Sequence, residues 1–303
     1  MNLGIAKKNI IAMCVLFLLP AAALYALFFI YPAANAFYIS LFDWNGFSSG
    51  MKFIGLRNFQ ELLADTRFWG VAVKNTMKFI LFGGVFIFAL SFLFSGILTT
   101  RTRGKKFYRA VLFFPNVINP IAICILWGFI YNKQWGLLTN LVKLTGISTF
   151  QPTWTSPENI FWAILAMMVW TYTGFYCVIL LSALDQVPPD LIESASLEGA
   201  NEAAIFFKVK LPLIWDVLVV AITLWGIAGI KEFSLIFAWG GGLDIPQDGY
   251  LNLATNMYIN AFGKRIGIYR MGYSTAMGIV MFLAVVVTVL LISRIGKRDT
   301  IEY

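Results

Sequence analysis

Long apolar runs separated by short charged segments set the pattern of this chain. The first run, from Ile10 to Tyr31, contains no charged residue and is long enough to cross about 30 Å of hydrocarbon at 1.5 Å per residue. A secretory signal peptide is the alternative, since Lys7 and Lys8 precede the run, but signal peptides have apolar cores of only about 7–15 residues. We therefore expect a first transmembrane helix that is retained.

Five further apolar stretches predict five more transmembrane helices. One of them, from Leu211 to Trp239, is interrupted by Lys231 and Glu232. A charged residue inside a span costs about 2.5–3.5 kcal/mol on insertion scales and commonly faces a bundle interior or a water-filled cavity, so this pair is a candidate functional feature. The other four windows lie between Lys78 and Arg101, between Arg109 and Lys133, between Glu158 and Asp185, and between Arg270 and Arg294.

The composition agrees with a membrane protein and excludes several other classes. Of the 303 residues, 59% are hydrophobic and 13% charged, whereas soluble domains are about 45–50% apolar and about 25% charged. The chain has no histidine, and Cys14, Cys124 and Cys177 all lie in apolar stretches, so a histidine base, a metal site and a disulfide framework are unsupported. We predict an all-α, polytopic membrane protein with about six transmembrane helices, without a metal or cofactor.

The positions of the basic residues predict which parts of the chain face the cytoplasm. Five basic residues and no acid lie between Thr100 and Arg109, and three more occupy the C-terminal tail. Cytoplasmic segments carry an excess of lysine and arginine, so we expect both regions inside, and the net charge of +8 then reflects orientation in the membrane and not nucleic-acid binding. With six spans, residues 1–9 form a cytoplasmic N-terminus and residues 10–303 a six-span domain.

The connection 185–210 departs from this basic pattern, because it holds five acids and two lysines. Pro189 can begin a helix and Gly199 can end it, and a second short helix is expected from about Ala200 to Val209. A solvated helical hairpin that joins two spans is one interpretation. A docking element for another protein is the other.

At this connection the sequence resembles the permease subunits of ABC importers. Their motif is Glu-Ala-Ala, three residues, Gly, nine residues and Ile-x-Leu-Pro. Here Glu193-Ser194-Ala195 is followed by Gly199 and then, after nine residues, by Val209-Lys210-Leu211-Pro212. The serine and the valine replace alanine and isoleucine with side chains of similar size, and the spacing is complete.

Other stretches are most similar to the carbohydrate-importing branch of that family, and specifically to its maltose-type first permease. They include Phe53 to Phe59, Gly136 to Asn140 and Gly240 to Gly242. Leu243 stands where that branch often has a proline.

The resemblance implies a type I ABC importer permease fold and a division of labour. An extracytoplasmic solute-binding protein would deliver a sugar, this chain and a second permease would form the path through the lipid of a bacterial or archaeal cell (inner) membrane, and two copies of an ATP-binding subunit would supply the energy. The chain has no Gly-x-x-x-x-Gly-Lys-Ser/Thr phosphate loop, so we expect a transport subunit and not an enzyme. The ATPase is expected to dock at Glu193, Ala195, Gly199, Leu211 and Pro212.

The resemblance also implies a sugar pocket near mid-membrane, between the span before the coupling loop 185–210 and the span after it. An aromatic ring can stack on sugar C–H faces, and a carboxylate accepts hydroxyl hydrogens. Glu232 is expected on one helical face with Trp225, while Lys231 points aside. Packing is the alternative for the aromatic residues, and an interfacial charge pair is the alternative for Glu232. The implied pocket residues are Met168, Thr171, Tyr172, Phe175, Trp225, Ala228, Gly229 and Glu232.

Three alternative functions stay open. An ABC permease for an amino acid, phosphate or another solute would carry the same coupling motif. An ion-driven secondary transporter would normally show a longer bundle with inverted repeats. A membrane enzyme would need a nucleophile or an acid/base set, for which only Lys231 and Glu232 offer themselves.

Overall fold

The computed structural model describes residues 3–99, 104–144, 153–241, 247–263 and 269–297, with side chains from residue 13 onward. Within these ranges the regular secondary structure is helical apart from one antiparallel pair of short strands, as the predicted all-α class requires. The helices are α1 (Leu3–Tyr25), α2 (Tyr31–Ile39), α3 (Arg57–Ala64), α4 (Lys74–Thr99), α5 (Lys105–Val117), α6 (Pro120–Ile130), α7 (Leu137–Leu144), α8 (Ile160–Leu184), α9 (Pro189–Leu197), α10 (Glu202–Ile205), α11 (Leu211–Leu213), α12 (Trp215–Lys231), α13 (Ser234–Trp239), α14 (Leu253–Phe262) and α15 (Met271–Gly296). The strands are β1 (Phe42–Asp43) and β2 (Lys52–Phe53), and π-helical turns lie at Ala26–Ile30, Phe68–Val73 and Phe206–Lys210. Arg101, Arg103, Gly242, Leu243 and Arg298, which bear on the predicted orientation and on the resemblance, lie outside the described residues.

The chain forms two compact units. One comprises Met1–Ala64 and Asn260–Val280, and the other comprises Asp65–Ile259 and Met281–Tyr303. Every candidate site residue lies in the second unit.

In the first unit, hydrogen bonds hold the extended segment after α2 against α3. Asn58 donates from Nδ2 to the carbonyl oxygens of Ser40 at 2.8 Å and Phe42 at 2.9 Å. Arg270, just before α15, pairs with Glu61 of α3 at 2.6 Å. These contacts join residues that are far apart in sequence.

Five helical segments of the described chain are long and apolar enough to cross a membrane. They correspond to the predicted first, second, fourth, fifth and sixth spans, and the first continues beyond Tyr31 to Ile39. The segments are Met13–Ile39, Phe68–Thr99, Ile160–Leu184, Trp215–Trp239 and Met271–Gly296.

The predicted third span is not one straight helix. α5 and α6 meet at a bend of 98°, and the count reaches six only if this bent pair is taken as one span. Pro120 is the first residue of α6, and the preceding Asn119 adopts an extended conformation with ψ 132°, as the residue before a proline prefers. The Asn119 side chain accepts a hydrogen bond from the Ile121 N–H at 2.8 Å, so a new helix starts where continuation was expected.

The fifth span is broken near its end. α12 stops at Lys231, and Glu232 has an extended backbone with ψ 114°. The expectation that Glu232 shares a helical face with Trp225 is therefore wrong, because Glu232 lies outside α12.

α8 is the central helix of the second unit and packs against α4, α5 and α12. Met168 and Leu180 on α8 are 1% and 0% exposed. Gly174 lets α5 approach closely, since a Cβ atom there would lie 1.7 Å from the Leu112 carbonyl oxygen. This packing positions α8, and the coupling segment 185–210 follows directly after its end.

Candidate functional site

The coupling segment 185–210 contains the two short helices that the sequence predicts. α9 runs from Pro189 to Leu197, and Gly199, two residues later, lies in the left-handed region at φ +84°. The N–H groups of Gly199 and Ala200 donate to the carbonyl oxygens of Ser196 and Ala195, both at 3.0 Å. This pattern is the Schellman motif, which needs a residue that tolerates positive φ. The positive φ at position 199 therefore favours glycine, whether or not a partner protein approaches closely there.

The second helix begins at α10 and continues through the π-helical turn into α11. Asn201 caps it by accepting a hydrogen bond from the Ala204 N–H at 2.8 Å. Leu211, at the far end, packs on a buried cluster that includes Leu184 and Leu218. Leu211 and Pro212 thus form a packed joint to α12, and both are partly buried.

α9 itself presents its motif residues to the outside. Glu193 and Gly199 are exposed, and Ala195 is partly exposed. Leu197 was not among the predicted residues, yet it is 90% exposed. The sequence did contain a signal for it, because Leu197 stands next to Glu198 in an acidic loop. An apolar residue that is exposed in such a loop can contact a partner protein.

A charge cluster that sequence analysis did not identify ties the start of this segment to α5. Asp185 accepts from Lys105 Nζ at 2.6 Å and from Arg109 at 2.5 Å. All three side chains are about one third exposed. The basic start of α5 and the coupling segment therefore lie at the same end of the second unit.

Glu232 occupies the break after α12 and bonds to two helices. Its Oε2 accepts from the Tyr172 hydroxyl at 2.5 Å, and its Oε1 accepts from the Leu235 N–H at 3.0 Å, at the start of α13. The Asn252 side-chain amide donates to the Glu232 carbonyl oxygen. The residue is 8% exposed, whereas Lys231 is exposed. Among the described residues, hydrogen bonds and not an ion pair satisfy this carboxyl group.

Trp225 and Gly229 pack α12 against α4. Trp225 is 3% exposed and donates from Nε1 to the Ile80 carbonyl oxygen at 2.8 Å. A Cβ atom at Gly83 would lie 2.6 Å from the Trp225 ring, and one at Gly229 would lie 2.5 Å from Ile80 Cγ1. Helices α4 and α12 therefore pack in direct contact at Gly83, at Gly229 and around the Trp225 ring.

The structure brings part of the predicted sugar pocket together. The Tyr172 and Trp225 rings meet edge to face at 5.8 Å, and Tyr172 bonds to Glu232. Phe175 and Ala228, like Tyr172, are partly exposed. Met168, Thr171, Trp225, Gly229 and Glu232 are buried, and Tyr172 and Phe175 pack against the buried cluster that contains Met168 and Trp225.

Comparison with known proteins identifies the family. Residues 92–299 match the family described as binding-protein-dependent transport system inner membrane component. The chain belongs to this family. As a member it is a multi-pass inner-membrane permease of an ABC importer, so the predicted class is confirmed, as is its role as a transport subunit and not an enzyme. As a component of a binding-protein-dependent ABC transport system, it works with a second permease, an ATP-binding subunit and a solute-binding protein.

Individual relatives cover almost the whole chain. The trehalose/maltose transport system permease protein MalF of Thermococcus litoralis is 30% identical over 93% of this chain and 92% of its own length. The diacetylchitobiose uptake system permease protein NgcF of Streptomyces coelicolor is 28% identical over 91% of this chain and 79% of its own length. A chain of a bacterial ABC transporter involved in the import of the acidic polysaccharide alginate has the same fold, with a TM-score of 0.79 at 21% identity over 98% of this chain and 99% of that chain.

Proposed function

We propose that this permease moves a sugar or an oligosaccharide into the cytoplasm. The proposal is based on two relatives that are similar to this chain along nearly its full length. One is named as a permease for trehalose and maltose, and the other as a permease for diacetylchitobiose. The partly exposed aromatic residues Tyr172 and Phe175 in the centre of α8 support it, because such rings suit the C–H faces of sugars.

In this proposal the partly exposed residues Tyr172, Phe175 and Ala228 touch the sugar. The buried residues Met168, Thr171, Trp225, Gly229 and Glu232 hold them in place. Glu232 accepts the Tyr172 hydroxyl hydrogen, which leaves the hydroxyl oxygen able to accept a hydrogen bond from a sugar hydroxyl.

We further propose that both termini and the coupling segment lie in the cytoplasm. Support comes from the ion pairs that join Asp185 to Lys105 and Arg109, since they place the coupling segment at the same end as the basic start of α5. Basic segments favour the cytoplasmic side. Two copies of the ATP-binding subunit then act from that side, one of them on this chain.

The ATP-binding subunit docks on the exposed surface of α9. Glu193 supplies charge there, and the 90% exposed Leu197 supplies apolar area. The packed joint at Leu211 and Pro212 turns a displacement of α9 into a displacement of α12, because closely packed elements move together.

The substrate class is tested by uptake in cells that carry or lack this chain. Radiolabelled trehalose, maltotriose and diacetylchitobiose are compared with glutamine and phosphate. We expect loss of uptake of at least one sugar on deletion, restored by complementation, with glutamine and phosphate unaffected. Loss of glutamine or phosphate uptake, with all sugars transported normally, would contradict the proposal.

A further inference from the structure

Asn252 connects the start of α14 to the break after α12, and its exposed fraction is only 1%. It is the residue before α14, and its side-chain oxygen accepts a hydrogen bond from the Thr255 N–H at 3.0 Å. Its side-chain amide donates to the Glu232 carbonyl oxygen. One side chain thus caps a helix and holds the backbone of the break.

The cap alone does not explain an amide at position 252. A helix cap needs an acceptor, which serine, threonine, aspartate and asparagine all provide. The Glu232 carbonyl needs a donor, because the last carbonyl groups of a helix have no partner within that helix and an unpaired buried backbone group is costly. Asparagine carries an acceptor and two donors on one rigid group, so it can satisfy both needs.

The start of α4 holds the segment 247–253, in which Asn252 lies. Asn75 donates from Nδ2 to the carbonyl oxygens of Asp248 at 2.7 Å and Leu251 at 3.0 Å. Thr76 Oγ1 accepts from the N–H of the last residue of the segment at 3.1 Å. Asn75 and Thr76 are 6% and 1% exposed. Buried hydrogen bonds that are satisfied on both sides make a structure rigid, so the backbone of this segment is firmly placed.

The segment 247–253 lies at the end of the second unit that is opposite the coupling segment. It bonds to the start of α4, and a Cβ atom at Gly249 would lie 2.6 Å from Ile160 Cγ2 at the start of α8. The far ends of α4 and α8 lead toward the basic start of α5 and into the coupling segment. With the coupling segment in the cytoplasm, the segment 247–253 lies on the outer side, from which substrate arrives.

Glu232 connects this segment to the sugar path. Its backbone is bonded to Asn252, and its carboxylate accepts from the Leu235 N–H at 3.0 Å and from the Tyr172 hydroxyl at 2.5 Å. Tyr172 is one of the partly exposed residues assigned above to the sugar. A shift of the Glu232 backbone therefore moves the oxygen that orients the Tyr172 hydroxyl, and a hydrogen bond weakens as its geometry departs from linear.

We propose that Asn252 is a positioning residue for sugar transport, which holds Glu232, and through it Tyr172, in place relative to the segment 247–253. Asn252 itself does not touch the sugar. The proposal rests on the proposed function and adds to it a residue from the outer side of the path. The alternative is a purely structural cap of α14, for which the bond to Glu232 has no effect on the sugar.

The test removes the donor and keeps the cap. Asn252→Asp has the same shape and retains the acceptor. Asn252→Ser retains a cap oxygen without a charge, but its side chain ends one atom short of the amide nitrogen. Asn159→Asp is the matched control, because Asn159 also donates to a backbone carbonyl oxygen, that of Thr153 at 3.1 Å, at the start of α8.

All variants are made in the full transporter, alone and combined with Tyr172→Phe. Initial uptake rates in cells are measured against concentration for trehalose, maltotriose and diacetylchitobiose, and the amount of assembled complex in the membrane is measured for every variant.

We expect Asn252→Asp and Asn252→Ser to raise the apparent KM by about 3- to 10-fold, as loss of one hydrogen bond would do, and Asn159→Asp to leave it unchanged. In the Tyr172→Phe background, neither Asn252 variant should raise KM further, because effects that act through one shared residue are not additive.

An unchanged KM in both Asn252 variants, for a sugar that the wild type transports, would refute the positioning role and leave the proposed function intact. A lower maximal rate with less complex and the same KM, or loss of the complex in both variants but not in the control, would show that Asn252 is structural and would also refute it. Full additivity with Tyr172→Phe would refute it as well. If the wild type transports none of the three sugars, the proposed function fails and this inference fails with it.

Discussion

At the scale of single residues, Glu232 shows how a carboxyl group is accommodated inside a predicted span. One oxygen accepts from the Leu235 N–H at the start of α13, and the other accepts from the Tyr172 hydroxyl. Buried polar groups are costly unless they are hydrogen-bonded. The break after α12 thus frees the Leu235 N–H, which a continuous helix would have bonded internally, while α8 supplies the Tyr172 hydroxyl.

Replacing Glu232 by glutamine should impair transport through Tyr172. The glutamine amide keeps one acceptor oxygen, so either the Tyr172 hydroxyl or the Leu235 N–H loses its partner, at a cost of about 1–3 kcal/mol. If Glu232 positions Tyr172 for the sugar, Glu232→Gln and Tyr172→Phe should each raise the KM for uptake, and the double variant should raise it no further. Uptake kinetics and complex yield measure this.

Lys231→Gln is the matched control, since it removes an adjacent but exposed charge and should leave KM unchanged. Fully additive effects of Glu232→Gln and Tyr172→Phe would argue against a shared role. Loss of complex without a change in KM would make Glu232 a purely structural residue.

At the scale of elements, the junction between α9 and α10 depends on one backbone conformation. Gly199 has φ +84°, and nothing lies within 4 Å of a Cβ atom placed there. A substitution is therefore penalised by backbone strain and not by crowding, at a cost of about 1–2 kcal/mol for ordinary L-residues.

Transport should be highest in the wild type and should decrease in the order Gly199→Asn, Gly199→Ala and Gly199→Val. Asparagine tolerates the left-handed region better than alanine, and β-branched residues tolerate it least. Strain at this position should disturb the end of α9 and weaken retention of the ATP-binding subunit, which copurification and uptake would measure.

Gly50→Val is the control for this series, because Gly50 also has open space at its Cβ position but no positive φ. It should transport normally. Equal activity of the asparagine, alanine and valine variants would exclude backbone conformation as the reason for glycine at 199.

At the scale of the whole molecule, the proposed orientation can be measured by thiol labelling. In a variant without Cys14, Cys124 and Cys177, single cysteines are placed at Ser48 and Lys106, both exposed. A membrane-impermeant thiol reagent added to intact cells should label position 48 and not position 106, since basic segments stay in the cytoplasm.

Position 106 should be labelled only after the membrane is permeabilised. Labelling under that condition also shows that the cysteine at position 106 can react. Labelling of both positions in intact cells would contradict the six-span topology with both termini inside.

The sequence predicted the local features of the fold well, because their causes are local. Apolar runs identified five spans, since length and hydropathy alone decide whether a helix can cross a bilayer. Pro189 and Gly199 marked the ends of α9 because backbone preferences act within a few residues. The bend in the third span was predictable from Asn119 and Pro120, since a cap residue followed by a proline commonly begins a new helix. The prediction used only the absence of charge between Arg109 and Lys133 and therefore missed it.

The family, the two helices of the coupling segment and five of the six predicted crossings were therefore accessible from the order of residues. The tertiary structure alone decided that Glu232 bonds to Tyr172, that Trp225 bonds to the Ile80 carbonyl oxygen, and that Asn252 bonds to the Glu232 carbonyl oxygen. Helical periodicity says which residues share a face of one helix, but not which other helix that face meets. Such pairings depend on close contact between segments far apart in the chain, as where Gly83 makes room for the Trp225 ring.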